Sequence, residues 1–320
     1  IIVERFCRSK GTTVVERLNE ALTGVAGSYS LLLLYQNQLI AVRDQSGNRP
    51  LYIGHLGRSM FVASETCAVN DIHSDSLREV APGEIVVISQ SGIESHKLTV
   101  RANTTHAFCR FEGVYYAHPT SSVYGENTSS FRFLLGRKLE ELFPVPGAQK
   151  VVPVPDSANA IAAGYAYSGR SGQLGYGLLR NHYVGRTFIL RTAEERKRWL
   201  LAKFLADATV IANRIIVLVD DSVVRMATLP IIVDKIWKAG AREVHVRIGS
   251  PPVIAPCFYG IDTPTAEELA ASHFTSEEIR QRVTATSLEY LPIEALRSLS
   301  KNPDNYCYAC FTGERPACLH

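Results

Sequence analysis

The chain has 320 residues, 46% of them apolar and 20% charged, an ordinary balance for a globular protein with an ample core. A net charge of +3 gives no electrostatic case for nucleic acid or a membrane surface. The longest apolar runs, such as SLLLLY at 30–35, are too short to span a bilayer. Seven cysteines, an odd count scattered over a long chain, argue against a secreted disulfide framework and for a reducing compartment.

In chain order, Thr12 to Leu22 has helical spacing, with Val14, Val15, Leu18 and Leu22 on one face. SLLLLYQ, LIAVR, MFVAS and EIVVIS follow as short strand-like runs separated by Gly, Asn, Asp and Pro, a pattern of adjacent, hairpin-like strands. Residues 99–108 are polar and read as a linker. The period then changes. VVPVP at 151–155 is a buried strand, and SANAIAAGYAYS after it a small-residue helix. IIVLV at 215–219 is a second apolar strand, LPIIVDKIWKAG a helix, and REVHVRI at 242–248 a third strand. Strands alternating with helices predict a parallel, doubly wound α/β sheet. The tail from Ala266 reads as short helices and ends in NYCYACFTGERP.

Ligands of such sheets sit at the carboxyl ends of strands. Asp220 and Asp221 stand at one of these ends, directly after five apolar residues. Adjacent carboxylates can serve vicinal ribose hydroxyls and a hydrated Mg2+. The loop beyond them leads into a helix N-terminus that favours phosphate, with Arg225 and Thr228 adding a cation and a hydroxyl. Asp156 and Ser157 repeat the arrangement at a second strand end. A strand-ending turn and a plain N-cap explain the same residues, so the residues alone leave both readings open. CYAC at 307–310 suits zinc, redox chemistry or chance.

VLVDDSVVR resembles the phosphoribosyl-pyrophosphate (PRPP) loop of type I phosphoribosyltransferases. PVPDSANAIAAGYA, LLRNHYVGRTFI, AREVHVRIGSPPV, PCFYGIDTP and CYACFTGERP together resemble the amidophosphoribosyltransferases. GSYSLLLL, LIAVRDQSGNRPLYIG, FVASETCA and REVAPGEIVVI resemble the glutaminase domain of that family. The resemblance implies a truncated α+β N-terminal-nucleophile (Ntn) glutaminase domain over 1–105. A type I phosphoribosyltransferase domain over 106–285 and a C-terminal helical tail over 286–320 follow. The implied activity forms 5-phosphoribosylamine from PRPP and glutamine-derived ammonia in purine biosynthesis. Asp220, Asp221 and Arg186 are implied as catalytic, Arg186 on a loop that closes over PRPP. Ser157, Lys203, Ser222, Val223, Val224, Arg225 and Thr228 are implied to bind PRPP, with Ser157, Asp220 and Asp221 at the Mg2+. Cys109, Cys257, Cys307 and Cys310 match the ligands of a [4Fe–4S] cluster, with zinc as the competing occupant. Purine nucleotide inhibitors and a homotetramer are implied too, in the cytoplasm or the plastid stroma.

The departures are specific. Met226 stands at a glycine of the loop, Ala227 at a threonine and Ala158 at the glycine of PDSG. Leu201 replaces a lysine, Arg191 a proline, and His118 an arginine. A methionine Cβ where the family has glycine is expected to crowd the phosphate or distort the loop. The glutaminase nucleophile and the residues that grip glutamine match nothing from Ile1 onward, and Cys7 does not fit the role. The chain as given is therefore expected to depend on ammonia. The alternative is a catalytically weakened PRPP- or purine-nucleotide-binding scaffold or regulatory protein. The RDQSGNRPL stretch reads as a salt-bridged turn on Gly47, and Tyr115 and Tyr116 as strand packing.

Overall fold

The computed structural model describes residues 1–69, 76–99, 105–183, 201–263 and 265–319. Two helices open the chain, Ile2–Arg8 and Val14–Leu22. The second starts on a capping box, in which the Thr13 hydroxyl accepts from Glu16 N and the Glu16 carboxylate accepts from Thr13 N. Its apolar stripe packs Leu18, Ala21 and Leu22 onto the first sheet.

Seven strands follow: β1 (Ser30–Tyr35), β2 (Gln38–Arg43), β3 (Tyr52–Leu56), β4 (Ser59–Ala63), β5 (Ser76–Glu79), β6 (Glu84–Ser89) and β7 (Gly92–Lys97). They form two antiparallel sheets, β1-β2-β6-β7 and β4-β3-β5. One face of the four-stranded sheet carries Ile40, Val42, Ile85 and Val87 toward the helices. The other carries Ala41, Val86 and Ile88 toward Ile53 of the smaller sheet and Leu51 just before it. The RDQSGNRPL segment between β2 and β3 is a turn with Gly47 at φ +63°. Fully buried Arg43 ties it down, donating to Gly47 O, Arg49 O and Val80 O and pairing with Glu79 at 2.7 Å.

β8 (Phe108–Cys109) leads into a π-helical turn, Glu112–Tyr116. Tyr115 and Tyr116 therefore lie on a helical turn, each 46% exposed, and not on a strand as their alternation suggested. The cause is distant in sequence: buried Arg132 donates to Gly113 O and Ala117 O and holds the turn closed. A small hairpin, β9 (Ser122–Val123) with β10 (Glu126–Asn127), precedes the helix Thr128–Leu142.

The second half is built on β11 (Lys150–Pro153), β12 (Gln173–Leu174), β15 (Ile215–Asp220), β16 (Glu243–Ile248) and β17 (Ser287–Tyr290). These form a parallel sheet in the order β12-β11-β15-β16-β17, while β13 (Leu178–Arg180) and β14 (Phe204–Ala206) make a separate antiparallel ribbon. The edge strand β17 lies C-terminal of residue 285, in a stretch that reads as helices. Alternate residues of β15 serve opposite cores. Ile216 and Leu218 face the helix Leu229–Lys238, while Val217 and Val219 face the helices Thr128–Leu142 and Asn159–Ala166. Those last two helices touch backbone to backbone: a Cβ on Gly136 would lie 1.8 Å from Ile161 O, and one on Gly164 2.0 Å from Phe133 O. Finally β18 (Tyr306–Cys307) pairs in parallel with β8, setting Cys307 beside Cys109. No helix among the described residues is long and apolar enough to cross a membrane.

Candidate functional site: a strand-end carboxylate pair and a four-thiol cavity

β11 and β15 are neighbours, with Pro153 in register with Val219, so their carboxyl ends open side by side. β15 ends in Asp220. Asp221 follows, only 3% exposed, and its N–H donates to Asp220 Oδ1 at 2.9 Å. Ser222 Oγ donates to Asp221 Oδ2 at 2.5 Å, and the Ser157 hydroxyl, from the loop after β11, bonds to the same carboxyl group. Burial, then the neighbouring charge of Asp221, pushes the Asp220 carboxyl well above the usual range. Burial also raises Asp221, opposed by the hydrogen bonds of Ser157 and Ser222 and by the Arg132 guanidinium. Two carboxylates so placed resist joint ionisation until a cation arrives. That donor set, two carboxylates and two hydroxyls, fits a Mg2+ that keeps waters and phosphate oxygens as its remaining ligands.

The loop after the pair is open to an anion. None of the backbone N–H groups from Ser222 to Ala227 finds an acceptor among the described residues. The loop enters the ten-residue helix Leu229–Lys238 with Thr228 at the N-cap, and no side chain caps that end. Unpaired amides followed by a helix N-terminus make an anion cradle.

Val223 is 3% exposed and Val224 packs into the other core, so only their backbone can face a ligand. Arg225 turns outward to Glu268, 2.8 Å away. Met226 does not distort the loop: neither it nor Ala227 has positive φ, and its side chain packs against the core under the sheet. Ala158 likewise sits at φ −90°, so the missing glycine costs no strain there.

Lys203, just before β14, feels the charges of Asp156 and Asp220, and its pKa is lowered by burial and then by Arg180. Arg180 pairs with Asp156 at 3.2 Å across the mouth of the site. The peptide joining Pro155 to Asp156 is cis. Arg186 and Arg191 lie outside the described residues. Two groups escaped the sequence reading. Tyr115 lies close enough to feel both Asp221 and Asp220, and buried Arg132 stands as a counter-charge to Asp221. Nothing local in the sequence marks Arg132; it reads as one more helix cation.

A second feature joins the two halves of the chain. Cys109, Cys257, Cys307 and Cys310 line one small cavity, together with Phe111, Val253 and Tyr259. Burial, and then the neighbouring Cys109, Cys307 and Cys257, pushes the Cys310 thiol well above its ordinary pKa. Burial raises Cys307 to about 11. Among the described residues no three His, Cys, Asp or Glu side chains converge closely enough for a single ion. A zinc ion needs four donors about 2.3 Å from one centre. By ligand type the same thiols are acceptable to zinc and to an iron–sulfur cluster.

Residues 4–71 match the model of a glutamine amidotransferase domain. The chain is 40% identical to the amidophosphoribosyltransferase of Bacillus subtilis, over 99% of its own length and 67% of that relative. The chain belongs to the amidophosphoribosyltransferase family. The family's chloroplastic member from Glycine max is 39% identical, with 99% of this chain and 55% of the relative covered. Two solved structures superpose with TM-scores of 0.90 at 38% identity. One, described as the allosteric regulatory enzyme of purine biosynthesis, covers 98% of this chain and 68% of its own. The other is glutamine PRPP amidotransferase from B. subtilis complexed with ADP and GMP, covering 100% and 70%. The chain thus spans from just over half to two thirds of the length of these amidophosphoribosyltransferases.

Proposed function

We propose that this chain binds Mg2+ and PRPP at the end of β15 and, given ammonia, forms 5-phosphoribosylamine. The observation that carries the reading is the acidic pair followed by six consecutive amides, Ser222 to Ala227, that find no acceptor among the described residues. The amides and the Leu229–Lys238 helix end would wrap the 5-phosphate. Asp220 and Asp221 would hold the ribose hydroxyls, with Ser157 and Ser222 fixing Asp221. Lys203 and Arg180 would face the diphosphate from the β13–β14 ribbon. Bound Mg2+ neutralises charge on the departing pyrophosphate. Ammonia forms the new C–N bond at the anomeric carbon as the C–O bond to pyrophosphate breaks, and the amine then loses a proton to solvent. Most of the acceleration would come from positioning and charge compensation.

A four-thiol cavity that draws on β8, the loop after β16 and the tail supports a [4Fe–4S] cluster tying the tail to both halves. Its role would be structural, since the cavity is lined by none of the carboxylates. The nucleotides in the B. subtilis complex, ADP and GMP, are the natural competitors to try, and a homotetramer the assembly to look for. Arg225 bonded to Glu268 favours a second reading, a protein that binds PRPP without turning it over. Calorimetric titration with PRPP and Mg2+, beside an assay of phosphoribosylamine formation from ammonia, separates the two. Asp221→Asn should abolish the Mg2+-dependent binding. An absence of PRPP binding with Mg2+ present would refute both readings.

A further inference from the structure

Three residues stand in a row across the sheet at the site. Asp220 of β15 is in register with Ile248 of β16, and Ile248 with Tyr290 of β17. Residues in register on neighbouring strands share a face. Ile248 and Tyr290 both belong to the core that also holds Val223 and supports Met226, directly under the anion cradle. Two strand spacings separate Asp220 from Tyr290, about 10 Å between Cα atoms, a gap that tyrosine and aspartate side chains leaning together can close. The Tyr290 hydroxyl is buried and has no hydrogen-bond partner among the described residues. Its residue is 7% exposed. After burial, the influence that raises the pKa of this phenol is Asp220. A buried, unpaired hydroxyl destabilises a fold, and phenylalanine would fill the same space without it.

We infer that Tyr290 is a positioning residue for Asp220: with ligand bound, its hydroxyl donates to the Asp220 oxygen that faces the sheet, leaving the other oxygen to the ribose. The inference rests on the PRPP reading above. It takes the unpaired hydroxyl as a donor held in reserve, whose acceptor is set in place when Asp220 holds a sugar. Tyr290 itself touches no ligand and acts only through Asp220.

The test is Tyr290→Phe with three measurements. Without ligand, the variant should unfold at the same temperature as wild type or higher. A clear drop would mean that the hydroxyl already has a partner, and would overturn the inference. Ribose 5-phosphate with Mg2+ should bind about tenfold more weakly, the effect of one hydrogen bond to a charged group. Inorganic phosphate, which needs the loop amides but not Asp220, should bind as to wild type. Equal loss for both probes would mean that Tyr290 merely packs the sheet, and unchanged ribose 5-phosphate affinity would dismiss the role outright. Wild type failing to bind either PRPP or ribose 5-phosphate would defeat the PRPP reading as well, so the two failures are distinguishable.

Discussion

Glu112 is the buried charge with the clearest measurable consequence. It opens the π-helical turn, its side chain is 1% exposed, and neither carboxylate oxygen has a well-formed hydrogen bond. Among the described residues it forms one ion pair, with Arg49 of the glutaminase-like part 3.0 Å away, and Arg132 acts on it more weakly. Burial raises its pKa to about 7, against the lowering effect of Arg49. A raised carboxyl pKa means that the folded state prefers the proton. The associated stability is full below the unfolded value near 4.5 and drains away as pH rises toward 7. From pH 5 to pH 8 this loss amounts to about 2–3 kcal/mol. Glu112→Gln keeps the shape and removes the titration. Urea unfolding of the two proteins at pH 5 and pH 8 isolates the effect, because every other titrating group is common to both. The wild-type curve should fall relative to the variant by that amount as pH rises. Parallel dependence on pH would show that Glu112 is solvated or fully paired, and the argument from burial would fail.

Other outcomes follow from side chains at the two sites. Met226→Gly removes core packing and gains backbone freedom, so it should cost about 1–3 kcal/mol of stability. PRPP affinity should stay within about twofold, since Met226 points away from the cradle; a large gain in affinity would contradict this placement. Glu268→Gln frees Arg225 from an exposed pair. Such pairs are worth at most about 1 kcal/mol, so PRPP affinity should rise no more than about fivefold in titration. Anaerobic reconstitution with iron and sulfide should give a brown protein from wild type and Cys67→Ser. Cys257→Ser, which removes a lining thiol, should bind markedly less iron by elemental analysis.

The parallel sheet was legible because its central strand is buried on both faces, which leaves IIVLV as an unbroken apolar run ending in two aspartates. β17 was not, because SLEY is four residues long and its burial comes from Ile248 on the next strand and not from its own pattern. The acidic pair and the loop between it and the next helix could be read from strand, turn and helix order. The threat assigned to Met226 could not be judged that way, since a side chain at a glycine position is harmful only if φ is positive or the Cβ faces the ligand. Tyr115 was placed on a strand because alternation cannot register a turn that Arg132 closes from a helix further along the chain. Tyr290 had no signal of its own. Its interest comes from register across three strands, and pairing between distant segments is not written locally.

The two-residue pairing of β8 with β18 has a consequence for how the molecule is made. It joins residues 108–109 to residues 306–307, so it closes only after the whole parallel sheet has been synthesised. Loop closure over such a span costs little more than over a shorter one, but it must come late in time. Until the tail docks, Cys109 and Cys257 are a pair of thiols without the other two. Any group that needs all four thus cannot be loaded before Cys310 has been made, and its presence would certify that synthesis had passed that residue.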